Sequence, residues 1–350
     1  MSRYDLSRAQ LGDLLADQPA YRVDQVWRGL YVDHAEPDDI TTLPASLRSA
    51  LADPLRAALE PVTERASADG ATIKWLWSLD DGAQVETVLM HYDDRSTVCV
   101  STQAGCAMAC GFCATGQGGF ERNLSTGEIV EQVVRAMRRA ADGEVPRRVS
   151  NIVFMGMGEP LANYDRTIEA VHRIHDDLGL SARHLTISTV GIVPGIDRLA
   201  DEPLPVNLAV SLPAADDALR DELVPINRRY PLDALVAACE RYLAKHNRRI
   251  SFEWALIEDV NDRDSDADGL AAIARHLRAH INLIPLNRTA GWPTRGSSPE
   301  RVRAFTRRLE SHGANVTVRS TRGDDIDAAC GQLRSSEGGT PVRLRRDRSR

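Results

Sequence analysis

The sequence has no apolar run approaching the length of a membrane span, which excludes a helical transmembrane anchor. Cysteines are few, 6 in 350 residues, and so sparse a set does not make a disulfide framework. Aromatic residues reach only 5%. The opening residues Met1-Ser2-Arg3-Tyr4-Asp5 lack the features of a signal peptide. An excess of positive charge is also missing: 43 Lys and Arg face 50 Asp and Glu, a net charge of −7. That weighs against a uniformly basic nucleic-acid-binding surface, although local clusters decide such binding. What remains is a soluble, cytoplasmic protein of one large or two ordinary domains, 43% hydrophobic and so well supplied for a core. Its cysteines are expected to do chemistry.

Three of them sit in one turn-rich segment, Cys106-Ala-Met-Ala-Cys110-Gly-Phe-Cys113. Thiolates at these spacings can point at one centre when the backbone curls around it, and cysteines are the usual ligands of iron–sulfur clusters. A structural zinc site takes four protein ligands, and no fourth cysteine or histidine lies close by. Three ligands on a four-iron cube leave one iron open for a substrate. The spacing, with Phe112 before the last cysteine, resembles the radical S-adenosylmethionine (SAM) signature. Three buried thiols or an incomplete zinc site are the plainer alternatives, disfavoured because one short loop holds the whole constellation.

Along the chain, residues 1–66 read as a helical accessory domain: Leu11, Leu14 and Leu15 share a face, and Val23, Val26, Trp27, Leu30 and Tyr31 repeat at helical spacing. Residues 67–94 read as a β-hairpin, with Thr72–Trp77 and Val85–Met90 alternating around the turn Asp80-Asp81-Gly82. Glu86 lies in the second strand, and position alone gives such a carboxylate no role, because it usually faces solvent. From 95 to 335 short apolar runs alternate with helical patterns. Strands are expected at Thr97–Ser101, Asn151–Met155, His184–Thr189, Val206–Ser211, Ile250–Ala255 and Asn282–Leu286. One helix opens with the capping box Ser125-Thr-Gly-Glu128. Six βα units predict an α/β fold, a partial (βα)6 barrel with a parallel sheet, whose sites gather at the C-terminal strand ends. The cysteine loop, Gly156-Met157-Gly158-Glu159-Pro160, Ser188, Ser211 and Asn287 all fall there. A basic tail over 336–350 is expected to be disordered. Further basic clusters are Arg135, Arg138 and Arg139, Arg147-Arg148 and Arg228-Arg229. Cys239, on the apolar face of Leu235, Val236 and Tyr242, reads as core.

Most of the chain resembles the RlmN/Cfr family of radical SAM enzymes that methylate adenosine in RNA. The matching stretches are Glu86-Thr-Val-Leu-Met90, Cys99-Val-Ser-Thr-Gln-Ala-Gly-Cys106, Gly156–Pro160, Ser188-Thr-Val-Gly191, Asp221-Glu-Leu-Val-Pro-Ile-Asn227 and Thr321-Arg-Gly-Asp-Asp-Ile-Asp-Ala-Ala-Cys-Gly-Gln-Leu333. The resemblance implies that Cys106, Cys110 and Cys113 bind a [4Fe-4S] cluster. It implies that Gly158, Glu159, Ser188, Ser211, Leu212, Pro213 and Asn287 hold SAM, with Glu159 reaching the amino group. Cys330 would carry the methyl group, Cys99 would resolve the covalent adduct through a transient disulfide with Cys330, and Glu86 would accept a proton. The radical route suits adenine C2, which is electron-poor and not nucleophilic. The implied substrates are 23S rRNA at the peptidyl transferase centre and the adenosine 3′ of the anticodon in some tRNAs, with a flavodoxin- or ferredoxin-type electron donor and no membrane. The accessory domain would help hold RNA. The alternative is a Cfr-like C8 methyltransferase conferring antibiotic resistance. Two positions depart from the family pattern: Pro213 stands where a histidine is usual, and Arg288 where a proline often follows the asparagine.

Overall fold

The computed structural model describes residues 2–142, 147–246, 248–286 and 295–319. The N-terminal part carries three short helices, α1 (Arg8–Leu14), α2 (Tyr21–Tyr31) and α3 (Ala45–Leu51). Ser7 and Gln10 cap α1 reciprocally. Helix α2 buries Val26, Trp27, Leu30 and Tyr31, the face expected from their spacing. The last seven residues of the stretch read as helical form instead a strand, β1 (Glu60–Ala66). It pairs antiparallel with β2 (Thr72–Ser78), which pairs with β3 (Gln84–His91) as the expected hairpin.

The hairpin is continuous with the barrel. Strand β3 pairs antiparallel with β4 (Ser96–Cys99), placing Val88 opposite Cys99. After β4 come the short antiparallel pair β5 (Gln103–Gly105) and β6 (Phe120–Asn123), with α4 (Ala114–Gln117) between them, and then α5 (Thr126–Ala141). The strands β7 (Val149–Phe154), β8 (Leu185–Thr189), β9 (Asn207–Ser211), β10 (Ser251–Leu256), β11 (His280–Pro285) and β12 (Asn315–Val318) follow in parallel, in chain order, within one 10-stranded sheet. Six of the parallel strands are those expected, within a few residues. The last, β12, is short and largely exposed, with no apolar run to announce it. The crossovers carry α6 (Tyr164–His172), α7 (Val193–Ala200), α8 (Asp217–Leu223), α9 (Leu232–Lys245), α10 (Asp264–His276) and α11 (Pro299–Ser311).

Strand alternation divides the side chains between two environments. Ile152 and Phe154, Leu185 and Ile187, Leu208 and Val210, Phe252 and Trp254, and Ile281 and Leu283 are buried in the main apolar core. On the alternate face, Met155 just past β7 and Ser188, Ser211, Glu253 and Ile284 on β8 to β11 line one cavity. Flat strands about 4.8 Å apart would spread them over roughly 19 Å, so the sheet curls around that cavity as a partial barrel does.

Gln132 on α5 ties these parts together from a fully buried position. Its Oε1 accepts from the Ser101 N–H at 2.8 Å and from the Thr87 hydroxyl at 2.9 Å. Its Nε2 donates to the Ser101 carbonyl at 3.0 Å and the Glu128 carbonyl at 3.1 Å. Replacing it by leucine keeps the volume and orphans the Ser101 backbone. At about 1–3 kcal/mol per orphaned buried group, Gln132→Leu is expected to lower unfolding free energy by about 2–5 kcal/mol, read from the urea midpoint.

Candidate active site

The cysteine loop lies between β5 and β6, on the crossover after the first parallel strand. Its shape is held by backbone hydrogen bonds: Cys106 N–H to the Gly119 carbonyl at 2.7 Å, and Cys113 N–H to the Cys110 carbonyl at 3.2 Å. Ala109 turns through the left-handed region at φ 53°. Gly116 packs against the Cys110 backbone so closely that a Cβ there would meet its carbonyl oxygen at 2.7 Å. All three cysteines line the cavity. Burial pushes the Cys106 thiol up to about 12, and the neighbouring Cys113 and Glu159 add to the rise. Burial also raises Cys110 well above the ordinary thiol range, followed by the fields of Cys113 and Cys106. Three thiols lining one cavity are suited to an iron–sulfur group that would stabilise their ionised forms.

Glu159 lines the same cavity. It is buried, with Oε2 accepting from the Val190 N–H at 2.9 Å and Oε1 from the Leu161 N–H at 3.1 Å. Burial pushes its carboxyl up to about 7 against these hydrogen bonds. Gly158 turns at φ +103°, and a Cβ there would meet Gln103 at 2.6 Å, so only glycine lets the loop pass. Ser188, Ser211 and Pro213 join Gly158, Glu159 and the cysteines around a cavity of about 320 Å³, within the usual range for small-molecule sites. Leu212 does not join them: its side chain packs in the main core. Asn287 lies outside the described residues, as does Cys330.

Glu86 corrects the expectation that a lone strand carboxylate faces solvent. Its side chain is 2% exposed and pairs with Lys74 Nζ at 2.9 Å. Cys99 lies on the neighbouring β4, and burial pushes its thiol up to about 11. The residue is half-buried. Cys239 is fully buried core, as read.

Several supporting residues escaped the sequence reading. Gln103 accepts the Glu159 N–H at 2.9 Å. Arg220, fully buried, donates to the Val190 carbonyl at 2.7 Å and so backs the loop that holds Glu159. Asn227, within a stretch matched by resemblance, in turn accepts from Arg220. Asn261 donates to the Pro213 carbonyl at 2.8 Å and fixes the strand end where histidine is usual. The arginine cluster on α5 is committed elsewhere: Arg138 and Arg135 pair with Glu36 and Glu131, and Arg139 with Glu64. The Arg138–Glu36 and Arg139–Glu64 pairs join the accessory segment and β1 to the barrel. Arg147, Arg148, Arg228 and Arg229 are exposed.

A curled parallel sheet with three cysteines on its first crossover and a cleft at the strand ends defines a radical SAM enzyme, and residues 100–268 match the family model of the radical SAM superfamily. A crystal structure of a radical SAM methyltransferase from Sphaerobacter thermophilus superimposes with a TM-score of 0.91, at 50% identity over 95% of this chain and 98% of that one. The probable dual-specificity RNA methyltransferase RlmN of Parafrankia sp. is 53% identical over 94% of this chain and 89% of its own length. The protein of the same name from Chloroflexus aurantiacus is 52% identical over 94% and 92%. The chain belongs to the RlmN family of radical SAM RNA methyltransferases. The family's cofactors are a [4Fe-4S] cluster and SAM, and the thiols and cleft described above fit them. Anaerobic reconstitution is expected to give about four irons and four sulfides per chain. Cys110→Ala is expected to lose the cluster's absorbance near the visible region, whereas stoichiometric zinc without sulfide would contradict this assignment.

Proposed function

We propose that the protein methylates C2 of an adenine in 23S rRNA at the peptidyl transferase centre, and of the adenosine 3′ of the anticodon in some tRNAs, through a methylated Cys330. The observation that carries this reading is the single cleft shared by Cys106, Cys110, Cys113, Gly158, Glu159, Ser188 and Ser211. The name borne by the curated relatives, dual-specificity RNA methyltransferase, supports the substrate class. When bound, the cluster and SAM supply the electron, the methyl group and the hydrogen-abstracting power that an electron-poor ring carbon demands.

The chain's own residues do the rest. Cys106, Cys110 and Cys113 hold the cluster. Glu159 takes the amino group of SAM, while Ser188, Ser211, Asn287 and the backbone around Pro213 hold its remainder. Cys330 carries the one-carbon unit to the ring and is joined to the RNA by a thioether. Glu86 accepts the ring proton. Cys99 attacks Cys330, freeing the methylated base and leaving a Cys99–Cys330 disulfide. A thiol reductant then reopens it, as for transient catalytic disulfides. Burial of Cys99 keeps it a thiol at rest, which protects it from premature oxidation. A target base enters only when splayed from its stack. A flavodoxin- or ferredoxin-type protein supplies the electron.

Anaerobic turnover on an rRNA fragment with labelled SAM is expected to yield 2-methyladenosine in nucleoside mass spectrometry. Finding 8-methyladenosine alone would transfer the protein to the Cfr-like reading. Cys99→Ala is expected to stall with protein and RNA covalently joined, seen as a labelled band on a denaturing gel. Wild-type turnover without that band would remove Cys99 from the mechanism.

Glu159 gives a pH signature. Its folded pKa of about 7 lies above the ordinary carboxyl value. Its contribution to stability is therefore present at low pH and lost as pH rises through about 7. Ligand binding runs the other way, because the carboxylate is the form that receives an ammonium. SAM affinity, measured by equilibrium dialysis, is expected to fall as pH drops from 8 to 6, roughly tenfold per unit below the pKa. Glu159→Gln is expected to flatten the profile.

A further inference from the structure

Lys74 has no part in the steps above, yet it is one of the most deeply buried charges in the protein. Its side chain is 0% exposed, and its ammonium lies 2.9 Å from Glu86 Oε2. Strand register explains how the two meet Cys99. Lys74 stands opposite Val88, and Val88 stands opposite Cys99. Residues directly opposed on antiparallel strands point to the same face, so Lys74, Val88 and Cys99 form one row. Glu86, two residues from Val88, shares their face. Thr87 between them points the other way, where its hydroxyl reaches Gln132 on α5. The hairpin therefore presents an ammonium and a carboxylate on the face that carries Cys99. Lys74 and Glu86 both act on the field at that thiol, together with Arg319 beyond the end of β12.

Stability gives little reason for this pair. Apolar residues of similar volume usually do as well in such a place, because two desolvated charges only recover in attraction what burial cost them.

We propose that Lys74 is a positioning residue for methyl transfer: its ammonium holds the Glu86 side chain on the face that carries Cys99 until the ring proton is taken. The inference rests on Glu86 being the proton acceptor. In that step the ring carbon–hydrogen bond breaks, its electron pair stays with the ring, and the proton forms a bond to a Glu86 carboxylate oxygen. Glu86 becomes neutral, and Lys74 keeps its own proton throughout. The 2.9 Å contact fixes where the carboxylate oxygens of Glu86 lie on that face.

The test compares Glu86→Gln, Lys74→Met, Lys74→Arg and the double variant Lys74→Met/Glu86→Gln on labelled rRNA under anaerobic conditions. The readouts are covalent protein–RNA adduct, methylated product and the KM for RNA. Glu86→Gln is expected to accumulate adduct and to lose about 10²–10⁴-fold in product formation, the usual worth of a general base. Lys74→Met is expected to accumulate the same adduct with at least a roughly tenfold loss in kcat and little change in KM. Lys74→Arg is expected to recover most of the rate, and the double variant to be no slower than Glu86→Gln, as for two residues acting as one unit. Wild-type turnover by Lys74→Met, or a further loss in the double variant, would overturn the role of Lys74 while leaving Glu86 as acceptor. Wild-type turnover by Glu86→Gln would instead overturn the acceptor reading. If Lys74→Met fails to fold, the double variant, which buries no lone charge, carries the comparison: equality with Glu86→Gln supports the proposal, and a further tenfold loss refutes it.

Discussion

The Ser101 hydroxyl accepts from the Met157 N–H at 2.9 Å and donates to the Glu86 carbonyl at 2.6 Å, while Gln132 grips the Ser101 backbone from behind. This buried polar knot joins three pieces of chain that are far apart in sequence: the hairpin strand with Glu86, the exit of β4 toward the cysteine loop, and the glycine-rich turn leading to Glu159. Each bond is satisfied, which is what makes a polar group tolerable in a dry interior. The relative placement of carboxylate, cysteines and SAM-side wall follows from it. Arg220 plays the same part on the far side, where its bond to the Val190 carbonyl sets the N–H that meets Glu159.

Around that knot, the sheet serves two environments. Fully buried parallel strands usually read as continuous apolar runs. Here β8 to β11 alternate, with Ile187, Val210, Trp254 and Leu283 in the outer core and Ser188, Ser211, Glu253 and Asn282 on the inner face. Ser188, Ser211 and Glu253 on that face line the site itself. Glu253 shows how far this goes. Its Oε1 accepts from Ser251 and Asn282, and its buried Oε2 lies 3.7 Å from the Arg319 guanidinium with no hydrogen-bond partner among the described residues.

Much of this was legible in the sequence, for definite reasons. The outer core faces gave each inner strand its apolar run, and the three cysteines lay within one loop, so fold class and cluster site could be read locally. What was missed depended on pairing over distance. Lys74 and Glu86 are 12 residues apart, and only the hairpin register brings them together. Arg220, Gln103, Asn261 and Gln132 support the site through backbone contacts that no spacing announces. Arg135, Arg138 and Arg139 read as a basic cluster, yet their partners Glu131, Glu36 and Glu64 come from α5 itself, the accessory segment and β1. Strand β1 escaped notice because Pro61, Glu64 and Arg65 carry none of the apolar alternation that marks a half-buried strand.

That unobtrusive strand has a consequence for anyone dividing the chain. Strand β1 forms the outer rim of the sheet, with Pro61, a bulge between Pro61 and Thr63, and charged residues along it. These are the features by which natural proteins discourage strand-to-strand association. Its neighbour β2 has the opposite character, Ile73-Lys74-Trp75-Leu76-Trp77, nearly all buried. A cut after residue 66, where a helical domain would be trimmed from the sequence alone, bares that run as a new rim. The shortened protein would then expose an adhesive strand suited to aggregation, whereas a cut before Glu60 keeps the protective strand in place.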